Sequence, residues 1–121
     1  MKRITAIIII FFVLLVLCRF AMAGPSILPG EKTASALIYT KVTGTTCLIK
    51  TIKVVTDGTN NAKAIVYDGT DATGTVIDET TIVGADHWGG RTWPDGGIIT
   101  TGIYVAISGT GASYFVEYEL K

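Results

Sequence analysis

Alternation of apolar and polar side chains at every second position is the feature that most constrains the fold of this chain. In residues 47–55 the apolar set is Leu48, Ile52 and Val54, and in residues 112–121 it is Tyr114, Val116, Tyr118 and Leu120. A period of two predicts β-strands with one face in the core and the other in water. No stretch after residue 23 has the 3.6-residue period of an amphipathic helix, so the domain is expected to be all-β.

Turn signals between these stretches set the number of strands. Asp-Gly-Thr at 57–59 and at 68–70, and Gly-Thr-Gly at 109–111, each separate two β-branched runs. Glycine supplies the positive φ that tight hairpin turns need, and we expect it at Gly109 or Gly111. The predicted strands are 35–42, 47–55, 63–68, 75–83, 98–108 and 112–121. Six to eight short strands of this kind predict an antiparallel β-sandwich of jelly-roll type, with a small barrel as the alternative.

The N-terminal 23 residues have a different, signal-like composition. A basic start is followed by an apolar run from Ile4 to Cys18, and small residues stand at Ala21 and Ala23. This order is typical of a secretory signal peptide, and the run is shorter than the roughly 20 residues that span a bilayer as a helix. We expect residues 1–23 to be cleaved after Ala23 and the protein to be exported. The alternative is a retained N-terminal membrane anchor.

The rest of the chain is expected to be one domain. Residues 24–33 contain proline and glycine and predict an extended lead-in, and residues 34–121 predict the β-sandwich. Residues 24–121 carry seven basic and ten acidic side chains, a net charge of −3, with no basic stripe. This disfavours nucleic-acid binding. Cys47 is the only cysteine after residue 23, so no internal disulfide is expected and its predicted role is that of a small buried hydrophobe.

One stretch concentrates the residue types that bind partners. GADHWGGRTWPDGG, residues 84–97, contains His87, both tryptophans of the chain, Trp88 and Trp93, and Arg91. A connection of this length is usually functional or disordered, and two large rings argue against disorder. We predict an ordered loop at one end of the sandwich. Trp93, stiffened by the proline that follows it, is expected to point inward, and Trp88 outward. Together these four residues form the candidate partner-binding site.

No motif predicts catalysis, a cofactor or a metal ion. A hydrolase that uses His87 is the weakest hypothesis, because no nucleophile signature accompanies it. The Gly-Thr-Gly at 109–111 precedes a strand rather than a helix and so lacks the free N–H groups that hold phosphate. Asp68, Asp71 and Asp78 do not have the spacing of a calcium loop, and we interpret them as turn caps. The protein is expected to be non-enzymatic.

Two stretches, AIVYDGTDATGTVI at 64–77 and GIYVAISGTGASYFVEY at 102–118, resemble small β-sandwich structural proteins of tailed phages and prophages. In those proteins a strand ending in Tyr-Asp-Gly enters a turn, and a later strand runs into a Gly-Thr-Gly connection. The resemblance covers roughly residues 34–121. It implies a virion structural or decoration-type subunit with protein partners, in a homo-oligomer or a virion, and no catalytic residues. The alternative is an exported carbohydrate-binding or surface adhesion domain that uses Trp88 and Trp93.

Overall fold

The computed structural model of the chain describes residues 25–121, which form eight β-strands and no α-helix. The strands are β1 (Ser26–Ile27), β2 (Ala36–Thr40), β3 (Cys47–Val55), β4 (Ala62–Asp68), β5 (Thr75–Ile82), β6 (Trp88–Ile99), β7 (Gly102–Ser108) and β8 (Ser113–Leu120). The all-β prediction is therefore confirmed. The signal peptide or anchor predicted for residues 1–23 lies outside the described residues. Within the described range, no helix has the length and hydropathy needed to cross a membrane.

The strands form two four-stranded antiparallel sheets. The first has the order β1-β8-β3-β6 and the second the order β2-β7-β4-β5. Of the seven connections between the successive strands β1 to β8, only the one between β4 and β5 joins neighbours in the same sheet. At each of the remaining six connections the chain crosses from one sheet to the other. Gly109 and Gly111 both have positive φ, as expected. The predictions of hairpins at 57–59 and at 109–111 are wrong, because β3 and β4 belong to different sheets, as do β7 and β8. The predicted hairpin at 68–70 is confirmed, since β4 and β5 pair with each other.

One hydrophobic core lies between the two sheets. Its members include Tyr39, Cys47, Ile49, Ile52, Val54, Ala64, Val66, Ile99, Ile103, Val105, Tyr114, Val116 and Tyr118. The expected burial of Cys47 is confirmed. On β3 the predicted inward set is partly wrong, because Leu48 is absent from this cluster while Ile49 is fully buried in it. Lys50 has no counterpart on β8, and this bulge reverses the alternation along β3.

The side of β8 that faces away from the core is less exposed than alternation predicts. Glu119 is only 8% exposed although it stands on the polar side of the strand. The Lys50 ammonium lies 3.2 Å from its carboxylate, and Lys121 lies 3.7 Å away. Hydrogen bonds from these two lysines outweigh the effect of burial and hold the pKa of Glu119 below its ordinary value. The bulge therefore reverses which side chains of β3 face the core, and its residue Lys50 forms an ion pair with the buried carboxylate of Glu119.

Two predicted boundaries need correction. Residues 98–108 are not one strand, because the chain turns at Thr100 and Thr101, between β6 and β7. The lead-in at 24–33 is extended where it is described, and it is also hydrogen-bonded to the first sheet. Ile27 pairs with Tyr118, and the Lys32 N–H donates to the Tyr114 carbonyl over 3.0 Å. The lead-in thus lies along β8.

Candidate functional site

The predicted loop at 84–97 is mostly a strand. A 3-10 turn at Gly84–Asp86 is followed by β6, which pairs with β3 along its length and forms one edge of the first sheet. Glycine and proline lower the strand propensity of this segment, which explains why it was predicted to be a loop. An edge strand tolerates both, because one side of its backbone has no neighbour to bond. The prediction of an ordered loop at one end of the sandwich is therefore wrong.

A large bulge in β6 determines where its tryptophans lie. Residues 93–96 of β6 stand opposite Lys50 alone, and Gly96 has a φ of 81° within the bulge. Trp93 opens the bulge and packs half-buried against the core. Trp88, at the start of the strand, is 63% exposed. The expected directions of the two rings are therefore confirmed, although the reason is a bulged edge strand.

Arg91 is held in a structural ion pair. It pairs with the inward-facing Ile52, so its side chain points towards the second sheet. Its Nη1 lies 3.0 Å from Oδ1 of Asp78 on β5, and its guanidinium carbon lies 5.2 Å from the Trp93 ring centroid. Asp78 is buried and also accepts a hydrogen bond from the Thr80 hydroxyl over 2.8 Å. Arg91 therefore bridges the edge strands of the two sheets, and Asp78 is its partner rather than a turn cap.

His87 takes part in neither of these arrangements. It is exposed and joins the 3-10 turn to β6 with a φ of 60° and a ψ of −39°. Its ring lies so close to Gly58 that a side chain at position 58 would meet the imidazole. The four candidate residues thus point in three directions. Trp88 faces outward from the first sheet, Arg91 and Trp93 line the edge between the sheets, and His87 covers a turn.

Sequence reasoning missed a groove on the outer face of the first sheet. The groove has a volume of about 290 Å³ and is lined by Leu28, Thr51, Lys53, Phe115 and Glu117. Lys53 stands opposite Phe115, and Thr51 stands opposite Glu117. These residues are the outward positions of two strands that are far apart in the chain. Finding the groove requires knowing that β3 and β8 are neighbours.

Two contacts hold the charged groups at the border of this groove. The Lys53 ammonium lies 4.8 Å from the centroid of the Trp88 ring, and this is a cation–π contact. On the other side, the Ser26 hydroxyl donates a hydrogen bond to the Glu117 carboxylate. Lys53 and Glu117 form no ion pair with each other in the described part of the chain. Both charges therefore remain able to bond a ligand.

An apolar stripe, also missed, crosses the outer face of the second sheet. Leu37 stands opposite Tyr104, Tyr104 opposite Tyr67, and Tyr67 opposite Val76. The two tyrosine rings are 6.2 Å apart, Leu37 is 46% exposed and Val76 is 54% exposed. We call these four residues the outer stripe. It contains one residue from each strand of the sheet and no charged group.

Two aspartates at the turns accept hydrogen bonds from backbone N–H groups. Asp71 accepts hydrogen bonds from the N–H and the hydroxyl of Thr73, which lower its pKa. Asp68 accepts from the N–H groups of Thr100, Thr101 and Gly102. The interpretation as a turn cap is confirmed for Asp71, whereas Asp68 bonds the distant turn between β6 and β7 rather than its own. Among residues 25–121, no group of three or more His, Cys, Asp or Glu side chains is placed to hold a metal ion.

Cys47 is unsuited to act as a nucleophile. Its side chain is fully buried in the core and forms no disulfide. Burial, together with the negative charge of Asp68, raises the pKa of the Cys47 thiol to about 11, against a smaller opposing effect of Lys41. The thiol is therefore protonated at neutral pH, and the thiolate is the reactive form.

No family model, curated protein or solved structure matches the chain. Three features of the described residues bear on function. These are the edge strand β6 with its exposed Trp88, the groove on the first sheet and the outer stripe on the second.

Proposed function

We propose that the protein is a non-enzymatic structural subunit of a multichain assembly, of the virion structural or decoration type, built on a jelly roll. The strand orders β1-β8-β3-β6 and β2-β7-β4-β5 support the jelly roll, because they are those of eight strands wound as two Greek keys. Viral capsid proteins and lectins both use this architecture. The fold by itself does not choose between such functions, so the choice depends on the surfaces.

The outer stripe is the observation that carries the proposal. Leu37, Tyr104, Tyr67 and Val76 stand in register across all four strands, from one edge of the second sheet to the other. A contiguous exposed apolar surface marks a contact with another protein, because its burial removes apolar area from water. Aromatic residues, tyrosine included, are enriched in such interfaces. We infer that the stripe contacts a neighbouring subunit, either another copy or a different virion protein.

A matched pair of variants tests this role. Val76→Lys places a charge in the stripe, whereas Val83→Lys changes a valine of almost the same exposure, 55% against 54%, outside it. Particles from the producing culture are separated on a density gradient, and the protein is followed by immunoblot. We expect the native chain and Val83→Lys to sediment with particles and Val76→Lys to remain at the top. The proposal fails if the native chain never enters the particle fraction or if both variants enter it equally.

A second candidate function is that of an exported carbohydrate-binding or adhesion domain. The observation that favours it is the exposed Trp88 ring beside the groove on the first sheet. Trp93 is half-buried against the core, and the Arg91 guanidinium lies over its ring, so it is less accessible to a sugar than Trp88. Trp88 is therefore the aromatic residue that we retain from the predicted pair.

We also propose that residues 1–23 act as a cleaved signal peptide, which places the protein outside the cell or in a virion. The intact mass of the protein from the culture medium tests this proposal, and it should correspond to a chain that begins at Gly24. A full-length chain that fractionates with membranes would support the anchor instead.

A further inference from the structure

We propose that the groove on the outer face of the first sheet binds a single neutral sugar ring. The inference rests on the second candidate function and deepens it by naming the site and the class of ligand. It uses the opposite side of the sandwich from the outer stripe. An experiment can therefore contradict the assembly role without affecting sugar binding, and the reverse.

The lining of the groove matches the two kinds of surface of a pyranose. Phe115 and Leu28 offer apolar contact for the C–H face of a ring. Three polar side chains lie beside them with different hydrogen-bonding capacity. Lys53 donates, Glu117 accepts, and Thr51 does both, which suits hydroxyl groups that must donate and accept at once.

The strand register fixes the arrangement of these groups. Lys53 stands directly opposite Phe115, and Thr51 stands directly opposite Glu117, on two neighbouring strands. Side chains at such positions lie about 5 Å apart, and diagonal neighbours about 7–8 Å apart. The Phe115 ring thus has hydrogen-bonding side chains beside it, at spacings comparable to those of the hydroxyl groups around one sugar ring.

The charges of the groove disfavour other ligands. One cation and one anion border it, so a phosphate group or a strongly acidic peptide would gain from Lys53 and be repelled by Glu117. A fully apolar segment would bury the Lys53 ammonium without a hydrogen-bonding partner and leave Glu117 with the Ser26 hydroxyl alone, which is costly. A neutral polyhydroxylated ligand bonds both charges and carries none.

The volume of the groove and the fixed positions of its two charged side chains suit one sugar ring. Its volume of about 290 Å³ is at the lower end of the range for small-molecule sites. The contacts of Lys53 with Trp88 and of Glu117 with Ser26 hold the two charged side chains beside the groove before a ligand arrives. Side chains that are already ordered lose less conformational entropy on binding. The exposed Trp88 ring extends the site on the β6 side of Lys53.

The test is an NMR titration of the full-length chain, labelled with nitrogen-15, with the methyl glycosides of glucose, galactose, mannose and N-acetylglucosamine. We expect at least one glycoside to shift the amide signals of Thr51, Lys53, Phe115 and Glu117 saturably. A Kd on the order of 1 mM is reasonable for one ring. Phe115→Ala should weaken this binding at least about tenfold, equivalent to about 1.4 kcal/mol.

Lys53→Met, which keeps the apolar stem and removes the ammonium, should also weaken binding and keeps the test valid if Phe115→Ala fails to fold. Val83→Lys, at an exposed residue outside both the groove and the outer stripe, should bind as the native chain does. The inference is overturned if no glycoside gives saturable shifts, or if the variants of the groove bind as the native chain does. It is also overturned if the signals of the groove shift with protein concentration alone, since a second copy would then occupy the groove.

Discussion

At the scale of single residues, backbone conformation is the strongest constraint at His87. Among the described residues it is the only non-glycine residue with a positive φ. Its N–H donates to the Gly84 carbonyl over 3.2 Å, and its carbonyl accepts from the Thr56 N–H over 2.8 Å. These two backbone hydrogen bonds hold His87 in its conformation, which is unfavourable by about 1–2 kcal/mol for a residue with a β-carbon.

We therefore expect His87→Gly to be more stable than His87→Ala by about 1 kcal/mol, because only glycine adopts this φ without strain. Both variants lose the imidazole contact with Gly58, so the comparison isolates the backbone. Chemical denaturation of the two proteins measures the difference. Equal midpoints for the glycine and alanine variants would contradict the assigned conformation.

Gly109 and Gly111 should differ although both have positive φ. A β-carbon at Gly109, with a φ of 120°, would come within 2.3 Å of the Asn61 carbonyl oxygen, whereas at Gly111 it would meet the Asp57 side chain. Backbone cannot move aside as a side chain can. We expect Gly109→Val to cost more than about 2 kcal/mol and Gly111→Val about 1–2 kcal/mol, measured as loss of unfolding free energy. Unchanged melting temperatures for both would show that the connection is wrongly described.

At the scale of elements, the bulge of β6 separates a structural tryptophan from an exposed one. We expect Trp93→Ala to cost about 3 kcal/mol, because the half-buried ring leaves a space against the core. Trp88→Ala should change the unfolding free energy by less than about 0.5 kcal/mol, because its ring faces water. Thermal unfolding of both variants provides the measurement. A larger loss at Trp88 than at Trp93 would reverse the assignment of the two rings.

The end of β4 is tied to the turn between β6 and β7 through Asp68. Burial tends to raise the pKa of this carboxyl, but hydrogen bonds from Thr100, Thr101 and Gly102 outweigh it and lower the pKa. A carboxyl whose pKa is lower in the folded state stabilises the fold above the unfolded pKa of about 3.9. This stabilisation is lost as the pH falls through the folded pKa.

Asp68→Asn should therefore cost about 1–2 kcal/mol at pH 7, and the difference from the native chain should disappear as the pH falls through the lowered pKa of Asp68 and its carboxyl becomes protonated. Asp71→Asn serves as the control, because Asp71 bonds only within its own turn and is expected to matter less. Denaturation at a series of pH values tests both. A difference for Asp68→Asn that does not change with pH would exclude the charge as its cause.

At the scale of the whole molecule, the two sheets of the described domain are held together without a disulfide, mainly by the packing of the core between them. Cys47 lies in the middle of that packing and is fully buried. In a Cys18→Ser variant of the full chain it is the only thiol. We expect a thiol reagent to label it in native buffer only as fast as the domain unfolds, at least about a thousandfold slower than a free thiol. Labelling at the rate of the denatured chain would show that the core is open.

The sequence determined the class of the fold and the chemistry of its turns. Alternation predicted strands, glycine predicted the positive φ at Gly109 and Gly111, and aspartate predicted the turn cap at Asp71. These predictions succeed because each depends on a residue and its nearest neighbours, through φ, a hydrogen bond two residues away or the two-residue period of a strand. The burial of Cys47 followed in the same way from its apolar neighbours.

Only the tertiary structure decided which strands are neighbours, and the surfaces depend on that choice. The residues of β8 that pair with β3 lie 58 to 73 positions further along the chain, and no local signal encodes this pairing. Without it neither the groove nor the outer stripe can be recognised, because each collects residues from several strands. The same reason explains the error at β6. Its glycines and proline favour a loop locally, but pairing with β3 and the ion pair from Arg91 to Asp78 make it an edge strand, because backbone hydrogen bonds and packing between sheets outweigh local propensity.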